Sequence, residues 1–265
     1  MFDRFNRPIT YLRISVTDKC NLRCRYCMPP EGVQQRRHED LLTFEQMTAV
    51  ARTAVRLGVT KIRLTGGEPL VKRDIVELVR MIAGIEGLRH LGMTTNGTLL
   101  KGFARSLREA ELNSLNISLD TLDPERYRFL TRGGRIEDAL AGIDAAREEQ
   151  FPVKINMVVL RDTASEEIVG MRRFCAERGL RLQLINHFDL GREKSESYGF
   201  DRPPSCARCN RIRLLADGML RPCLHCDLEV KLDFSRLEES LREAVFAKPE
   251  RGGICRNGAM SQIGG

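Results

Sequence analysis

The chain has 265 residues, 42% of them hydrophobic and 30% charged, which suffices for one large α/β domain with a buried core and a small appendage. No apolar run could span a bilayer and the first residues carry no apolar signal-peptide stretch, so we expect a cytoplasmic protein without a membrane partner. The net charge of +7 favours an anionic small molecule over nucleic acid, because no aromatic and basic stripe and no tryptophan accompany it.

Apolar, strand-like runs alternate with amphipathic helical stretches from residue 11 to about residue 186, which is typical of repeated βα units. The predicted strands are Tyr11–Val16, Lys61–Leu64, Leu88–Met93, Ser114–Ile117, Val153–Val159 and Leu182–Ile185. The predicted helices are Phe44–Leu57, Ile75–Ile82, Leu99–Ala110, Ile136–Glu149 and Glu166–Arg178. Thr43 and Gln46 form a capping-box pattern before the first helix. Six such units predict an α/β fold, a parallel sheet curved into a partial (β/α)6 TIM-like barrel.

The pattern changes after residue 186. Residues 187–205 are polar and contain glycines and prolines, so we interpret them as a linker. Residues 206–265 predict a small cysteine-rich domain, with a hairpin turn at Asp217-Gly218 and a helix from near Ser235 to about Lys248. The expected domains are therefore 1–186, a linker at 187–205, and 206–265.

Three cysteines stand close together after the first predicted strand: Cys20, Cys24 and Cys27. Three thiolates at this spacing can hold three irons of a [4Fe-4S] cluster, and the missing fourth ligand leaves one iron open. An open metal position is typical of a reactive site. A zinc site would need a fourth ligand and a disulfide would leave one thiol over, so we favour the open cluster over zinc or buried thiols.

Conspicuous polar motifs follow the other predicted strands. Thr65–Pro69 follows the second strand, Thr94–Gly97 the third and Ser118–Asp120 the fourth. In barrels of parallel strands the active site forms at the carboxyl ends of the strands. Each motif alone is typical of an ordinary turn. Their convergence with the cysteine loop on one rim predicts an active site there.

The sequence resembles the radical S-adenosylmethionine (SAM) superfamily and, within it, the GTP 3′,8-cyclase family of molybdenum cofactor biosynthesis. A CxxxCxxC motif alone is moderately specific, but the matching motifs occur in order over most of the chain. They are Leu12–Asp18, Cys27-Met28-Pro29, Glu31-Gly32-Val33, Arg63–Leu70, Met93–Gly97, Ser118–Leu122, Lys154-Ile155-Asn156, Cys209–Arg213 and the ending Gly264-Gly265.

The resemblance implies an enzyme in which SAM binds the open iron and is cleaved to a 5′-deoxyadenosyl radical that abstracts hydrogen from the substrate. The cofactors implied are SAM and two [4Fe-4S] clusters, and the partners are a low-potential electron donor such as flavodoxin or ferredoxin and, as a further expectation, a second copy of the chain in a homodimer. The residues implied to bind SAM are Gly66, Gly67, Glu68, Pro69, Thr95, Ser118 and Met157.

The implied substrate is GTP, converted to (8S)-3′,8-cyclo-7,8-dihydroguanosine 5′-triphosphate. Cationic side chains suit a triphosphate because arginine gives bidentate bonds to phosphate oxygens. The family positions that match are Arg13, Lys154, Arg211, Arg213 and the terminal Gly264 and Gly265. The alternative for Arg211 and Arg213 is that they alternate outward along a strand.

The chain departs from the family pattern in its second cysteine set. Cys206, Cys209 and Cys223 match the family's three ligands of a second cluster, but Cys226 follows and completes CxxC-x13-CxxC. With all four cysteines bound, this cluster is closed, and a zinc ribbon has the same paired architecture. Cys255 is another potential ligand. Cys175, on a predicted helix, is interpreted as a buried apolar residue.

Two further departures concern the substrate. The family's arginine at the start of strand six corresponds in register to Gln183, with Arg181 nearby, and the connection to the second cysteine set is short. Three hypotheses therefore remain: a GTP 3′,8-cyclase-like enzyme, a radical SAM enzyme with a fully ligated second cluster acting on a peptide or another small molecule, and a barrel with a zinc-ribbon binding module.

Overall fold

Nine strands form one sheet in the computed structural model, which describes residues 1–34, 36–192, 199–200, 205–256 and 260–263. Their order across the sheet is β6-β5-β4-β3-β2-β1-β7-β8-β9. The strands are β1 (Tyr11–Ser15), β2 (Lys61–Thr65), β3 (His90–Thr95), β4 (Ser114–Ser118), β5 (Val153–Val159), β6 (Arg181–Asn186), β7 (Arg211–Leu214), β8 (Met219–Arg221) and β9 (Val230–Lys231).

Helices follow the parallel strands and cover the outer face of the sheet. They are α1 (Phe44–Arg56), α2 (Ile75–Ala83), α3 (Ala104–Glu109), α4 (Pro124–Thr131), α5 (Ile136–Glu148), α6 (Ser165–Glu177), α7 (Leu237–Phe246) and α8 (Met260–Ile263). The predicted capping box of α1 is confirmed, since Gln46 N–H donates to Thr43 Oγ1 and the Gln46 side chain accepts from the Thr43 N–H. Strands β1 to β6 are all parallel, so the predicted partial barrel is confirmed.

The two faces of each strand differ in polarity. In β1, Leu12 and Ile14 belong to the hydrophobic core under the helices, whereas Tyr11 and Arg13 alternate with them and face the barrel interior. The same alternation in β5 buries Ile155 in the core and turns Lys154 inward. The helix layer therefore supplies the apolar packing, and the interior is left for polar chemistry.

The cysteine-rich segment after residue 205 continues this sheet. β7 pairs in parallel with β1, with Tyr11 opposite Arg211 and Arg13 opposite Arg213, and β8 and β9 follow in antiparallel order. The predicted hairpin turn is confirmed, with Gly218 at φ 85° between β7 and β8. The segment that the sequence predicts as a separate domain thus adds three strands to the barrel sheet. The predicted linker is described only at residues 187–192, 199–200 and 205.

Two helical regions differ from the sequence prediction. The single helix expected over Leu99–Ala110 is a 3-10 turn at Leu100–Gly102 followed by the short helix α3. Helix α4, which begins after the N-cap Asp123, was not predicted, and it ends at Arg132 with a left-handed φ of 55°. None of the described helices has the length and apolar character needed to cross a membrane.

Candidate active site

The loop after β1 brings three thiols to one place at the carboxyl end of the barrel. Cys27 N–H and Met28 N–H both donate to the carbonyl of Cys24, forming a tight turn, and Leu22 N–H lies 3.4 Å from Cys20 Sγ. None of the three cysteines is in a disulfide, and all are partly exposed. Burial, Asp120 and the two other thiols raise the pKa of Cys24 far above its usual value. Thiols in such surroundings need a cationic partner to become thiolates.

This donor set fits a multi-iron cluster. Zinc holds thiolates at about 2.3 Å, so its ligands converge closely on one point. In the described part of the chain, no three His, Cys, Asp or Glu side chains converge closely enough to hold a single ion. An iron–sulfur cluster binds each thiolate through a different iron and accepts a wider arrangement. Cys20, Cys24 and Cys27 are therefore suited to the three protein-bound corners of a cluster.

Helix α4 fixes the shape of the cysteine loop. Arg23 N–H donates to the carbonyl of Thr131 at the helix end, and Arg132 Nη1 donates to the carbonyls of Arg23 and Met28 at 2.7 and 2.9 Å. Arg23 Nη1 in turn bonds the Cys20 carbonyl at 2.6 Å. These bonds to charged donors are among the stronger ones in proteins. The helix missed by the sequence prediction thus holds the backbone on both sides of the thiols.

The segment Gly66–Pro69 after β2 packs directly on the cysteine loop. Gly67 N–H donates to the Thr17 carbonyl and Glu68 N–H to the Lys19 carbonyl, at 2.9 and 2.8 Å. A Cβ on Gly67 would lie 2.3 Å from the Lys19 carbonyl oxygen, so only glycine allows this approach. The predicted residues Gly66 and Gly67 therefore pack against the backbone that leads into Cys20.

The carboxylate of Glu68 is held by the protein itself. It accepts hydrogen bonds from Leu70 N–H, from Thr95 Oγ1 at 2.7 Å and from Asn96 N–H at 2.7 Å. Burial raises the pKa of Glu68 to about 7 despite these bonds. Glu68 and Thr95, both predicted to bind SAM, are thus joined to each other, and they tie the loops after β2 and β3 together beside the thiols.

Tyr26, which the sequence analysis did not single out, belongs to the same rim. Its hydroxyl donates to Asp120 Oδ2 at 2.6 Å, and Asp120 Oδ1 accepts from Val158 N–H at 2.8 Å. Burial raises the pKa of Asp120 to about 6. The His187 ring lies edge-on, 6.3 Å from the Tyr26 ring. Tyr26 directly precedes Cys27 in the sequence, but a motif defined by the cysteines alone assigns no role to that position.

The two remaining predicted SAM residues have different positions. Ser118 ends β4, is half-buried and pairs with Asn156 of β5 on the inward face. Met157 alternates with Asn156 and is fully buried in the hydrophobic core beneath the helices. The Met157 side chain therefore does not reach the barrel interior, contrary to the expectation that it lies near the adenine. Side-chain alternation along β5 is the reason.

A group of cationic side chains lies inside the barrel, where residues from the three adjacent strands β2, β1 and β7 meet. Arg13 pairs in register with Arg63 on one side and with Arg213 on the other, and Lys61 and Arg211 flank Tyr11 in the same way. Burial first, and then the neighbouring guanidinium groups, lower the pKa of Arg13 to about 9 and that of Arg213 to about 10. We call Arg13, Lys61, Arg63, Arg211 and Arg213 the cationic cluster.

A cavity of about 580 Å³ opens next to this cluster at the amino ends of the strands. Lys61, Arg63, Lys154 and Arg181 line it, together with His90. Lys154 and Arg181 face each other across β5 and β6. Of these residues the sequence predicted only Lys154 as a substrate ligand. Gln183, which replaces the family's arginine, donates to its neighbour's carbonyl, and Arg181 supplies positive charge to the cavity wall.

The second cysteine set forms a separate pocket behind the cationic cluster. Cys206, Cys209 and Cys223 line it together with His225 and Lys248. The Cys226 thiol, then Lys248, the His225 N–H and Arg213 lower the pKa of Cys223 against the effect of burial, and the same contact raises the pKa of Cys226. Although burial opposes it, Lys248 and the nearby arginines also lower the pKa of Cys209. Thiols so readily ionised fit the binding of a metal cluster.

The other cysteines lie outside this pocket. Cys226, which the sequence predicts as a fourth ligand, is absent from the residues that line the pocket, and its thiol lies 3.6 Å from the Cys223 carbonyl. Cys255 is buried and accepts a hydrogen bond from Arg221 Nη1 at 3.2 Å. Cys175 is buried in α6, as expected for an apolar residue. The predicted Gly264 and Gly265 lie outside the described residues.

Comparison with known proteins agrees with this site. The Radical SAM superfamily pattern matches residues 14–175. The chain is 39% identical to a GTP 3′,8-cyclase of Moorella thermoacetica over 323 aligned positions that cover both chains completely. A GTP 3′,8-cyclase of Geobacter sulfurreducens is 39% identical over 324 positions, covering all of this chain and 99% of its own. The alignments are longer than this chain, so the relatives carry segments that it lacks.

Solved structures with the same fold are more distant in sequence. SuiB of Streptococcus suis bound to S-adenosylmethionine superposes with a TM-score of 0.70 at 18% identity. The match covers 92% of this chain, which spans 64% of the SuiB chain. The enzyme anSMEcpe with bound AdoMet has a TM-score of 0.66 at 16% identity, covering 91% of this chain and 81% of its own. These likenesses bear on the fold.

Proposed function

This chain belongs to the radical SAM superfamily and, within it, to the GTP 3′,8-cyclase family, and we propose that it converts GTP to (8S)-3′,8-cyclo-7,8-dihydroguanosine 5′-triphosphate for molybdopterin synthesis. It is an enzyme whose cofactors are SAM and [4Fe-4S] clusters. The observation that carries the substrate proposal is the cationic cluster inside the barrel, because two of its members, Lys61 and Arg63, line the cavity and such a cluster suits a polyphosphate.

In this proposal Cys20, Cys24 and Cys27 hold the first cluster. Bound there, the cluster and SAM supply one-electron chemistry that generates a hydrogen-abstracting radical. The chain orients SAM through the backbone of Gly66 and Gly67, while the hydrogen-bonded Glu68 keeps that backbone against the cysteine loop. Ser118 and Asn156 extend the polar rim inward, toward the substrate.

Arg13, Arg63, Lys154, Arg211 and Arg213 would bind the triphosphate. Each bond from a charged donor contributes about 1.5–3 kcal/mol, so glutamine instead of arginine at position 183 removes about one such contribution. Arg181 on the same strand face contributes to the same wall. The terminal glycines Gly264 and Gly265 stay predicted contacts of the substrate.

The second cluster would be held by Cys206, Cys209 and Cys223. These three thiols line the pocket, and in the proposed cyclase Cys226, which hydrogen-bonds to Cys223, would stabilise the Cys223 thiolate instead of binding iron. The reaction consumes an electron of low potential, and flavodoxin or ferredoxin is the proposed donor. A homodimer and a cytoplasmic location stay predictions.

Anaerobic incubation of the reconstituted enzyme with GTP, SAM and a low-potential reductant tests the proposal. The expected products are 5′-deoxyadenosine, methionine and the cyclised nucleotide, detected by mass spectrometry. Cys24→Ser, which removes a ligand of the first cluster, is expected to give neither nucleoside product. Formation of 5′-deoxyadenosine without cyclised GTP in the wild type would exclude GTP as the substrate.

The role of the cavity is tested by Arg63→Met. This change removes a buried guanidinium from the cationic cluster, and we expect the KM for GTP to rise by about 10- to 100-fold because one or two charge-assisted bonds are lost. Arg89→Met is the matched control, since Arg89 is exposed beside the start of β3. Equal KM values in the two variants would contradict a phosphate role for Arg63.

A further inference from the structure

Tyr11, the first residue of β1, lies within the cationic cluster and is only 8% exposed. Its hydroxyl accepts a hydrogen bond of 2.9 Å from Nε of Arg63. Lys61 Nζ lies 5.3 Å from the centre of its ring, and Arg211 Cζ lies 5.4 Å from the same centre. Strand register explains this, because Lys61 and Arg211 are the two residues opposite Tyr11. The Tyr11 ring thus lies between Lys61 and Arg211, and its hydroxyl is hydrogen-bonded to Arg63.

The charges that face Tyr11 are almost all positive. Among the ion pairs between described residues, none joins Arg63, Arg211 or Arg213 to a carboxylate. The cations that face Tyr11 are Arg13 on its own strand, Lys61 and Arg63 on β2, and Arg211 and Arg213 on β7. His90 of β3 lies opposite Lys61. The thiols of Cys209 and Cys223 lie beyond the arginines of β7. A buried phenol in this position can carry a compensating negative charge.

The ionisation behaviour of Tyr11 agrees with this geometry. Burial alone would raise its pKa, but Arg13, Arg63, Arg211 and Lys61 together lower it to about 7. In turn, the Tyr11 oxygen raises the pKa of Arg13 against the effect of burial. The phenol and the cations therefore stabilise one another electrostatically.

We propose that Tyr11 is a positioning residue of the substrate site, whose ring spaces Lys61 and Arg211 and whose hydroxyl orients Arg63 and takes up one proton from water when a polyphosphate binds. The bound phosphate oxygens replace the phenolate as the negative partner of the guanidinium groups. Repulsion between the two anions then favours the neutral phenol. This inference rests on the proposed function in one respect, namely that the ligand of the cationic cluster is a polyphosphate.

The binding of polyphosphate is coupled to the protonation of Tyr11, and this coupling sets the direction in which the Kd changes with pH. Below about pH 7 the free phenol is already protonated and binding needs no proton. Above that pH each binding event must first restore the proton, so the Kd rises by up to about tenfold for each pH unit. Without the hydroxyl, this component of the pH dependence disappears.

The experiment is calorimetric titration with GTP and, separately, with inorganic tripolyphosphate, on the reconstituted holoenzyme without SAM. Wild type, Tyr11→Phe and the control Tyr127→Phe, a buried tyrosine of α4, are compared from about pH 6.5 to about pH 8.5 in two buffers of different ionisation enthalpy. We expect the proton uptake on binding above pH 7 to be lower by about one proton per site in Tyr11→Phe than in wild type and control, and the Kd of Tyr11→Phe to change less with pH.

Ultraviolet difference spectroscopy of the wild type is a second measurement that needs no variant. Adding tripolyphosphate at about pH 8.5 is expected to convert one tyrosinate to tyrosine. An unchanged spectrum with bound ligand, or equal pH profiles of wild type and Tyr11→Phe, would overturn the inference. Binding of tripolyphosphate with the expected uptake but no binding of GTP would support Tyr11 and refute the proposed substrate.

Discussion

Cys223 and Cys226 are three residues apart, yet their surroundings differ. Cys223 lines the pocket with Cys206 and Cys209, whereas Cys226 is outside the lining. We therefore expect Cys226→Ser to keep the second cluster and Cys223→Ser to lose about four iron atoms per chain. Iron and sulfide analysis after anaerobic reconstitution measures this.

Cys175→Ser serves as a control for the loss of any buried thiol. A loss of four irons in Cys226→Ser equal to that in Cys223→Ser would make Cys226 a ligand and restore the closed cluster. Zinc in place of the second set of irons would instead support the ribbon hypothesis.

The residues of the rim were more predictable than those of the cavity. The cysteines and Gly66–Pro69 are contiguous motifs, so their chemistry is visible in the sequence itself. Lys61 and Arg63 became functional candidates only when register placed them opposite Tyr11 and Arg13. In a sequence, cations at alternate positions of a strand look the same whether they face the barrel interior or the solvent. Only the positions of the neighbouring strands distinguish the two cases.

Helix α5 contacts the rim through a glycine. A Cβ on Gly142 would lie 2.1 Å from the Gly97 carbonyl oxygen, in the loop that carries Asn96 beside Cys20. We expect Gly142→Ala to lower the free energy of unfolding by about 1–3 kcal/mol, because the loop must move. Urea denaturation followed by circular dichroism measures the change.

Gly170 of α6 is the matched control for this prediction. Nothing lies within 4 Å of the Cβ position there. Gly170→Ala is expected to raise the free energy of unfolding by about 0.5–1 kcal/mol, since alanine loses less backbone entropy in a helix. If Gly142→Ala and Gly170→Ala shift the free energy of unfolding in the same direction, helix propensity and not packing against the Gly97 loop determines the effect of Gly142→Ala.

At the level of elements, periodicity predicted the six parallel strands and five helical regions, with ends shifted by at most two residues except at α3, which begins five residues later than predicted. It missed α4, whose eight residues include three charged side chains, two of them arginines, and show little amphipathic pattern. The sequence analysis also placed a domain boundary at residue 186, because the composition changes there. The pairing of β7 with β1 depends on contacts between residues about 200 positions apart, and no local pattern encodes them.

Lys248 links separate elements within the cysteine-rich segment. Its ammonium is 2% exposed and donates to the carbonyls of Arg211 and Pro222 at 2.8 and 2.7 Å. Lys248→Met would leave both carbonyls without this charged donor, and we expect a loss of about 2–5 kcal/mol in unfolding free energy. Denaturant unfolding of the whole chain measures it.

Lys101→Met, at an exposed position, is the control and is expected to change stability by less than about 0.5 kcal/mol. Iron analysis adds a second readout, since Lys248 also lowers the pKa of Cys209 and Cys223. Wild-type stability and iron content in Lys248→Met would show that the ammonium does not hold the cysteine-rich segment.

The place of β1 between β2 and β7 limits how this protein can be divided. A fragment ending before residue 205 would keep the first three cysteines but leave the N–H and C=O groups of one side of β1 unpaired. Open strand edges of this kind recruit further chains and lead to aggregates. Truncation, limited proteolysis or transplantation of the cysteine-rich segment would therefore remove the neighbour that keeps the edge strand β1 of the barrel from pairing with copies of itself.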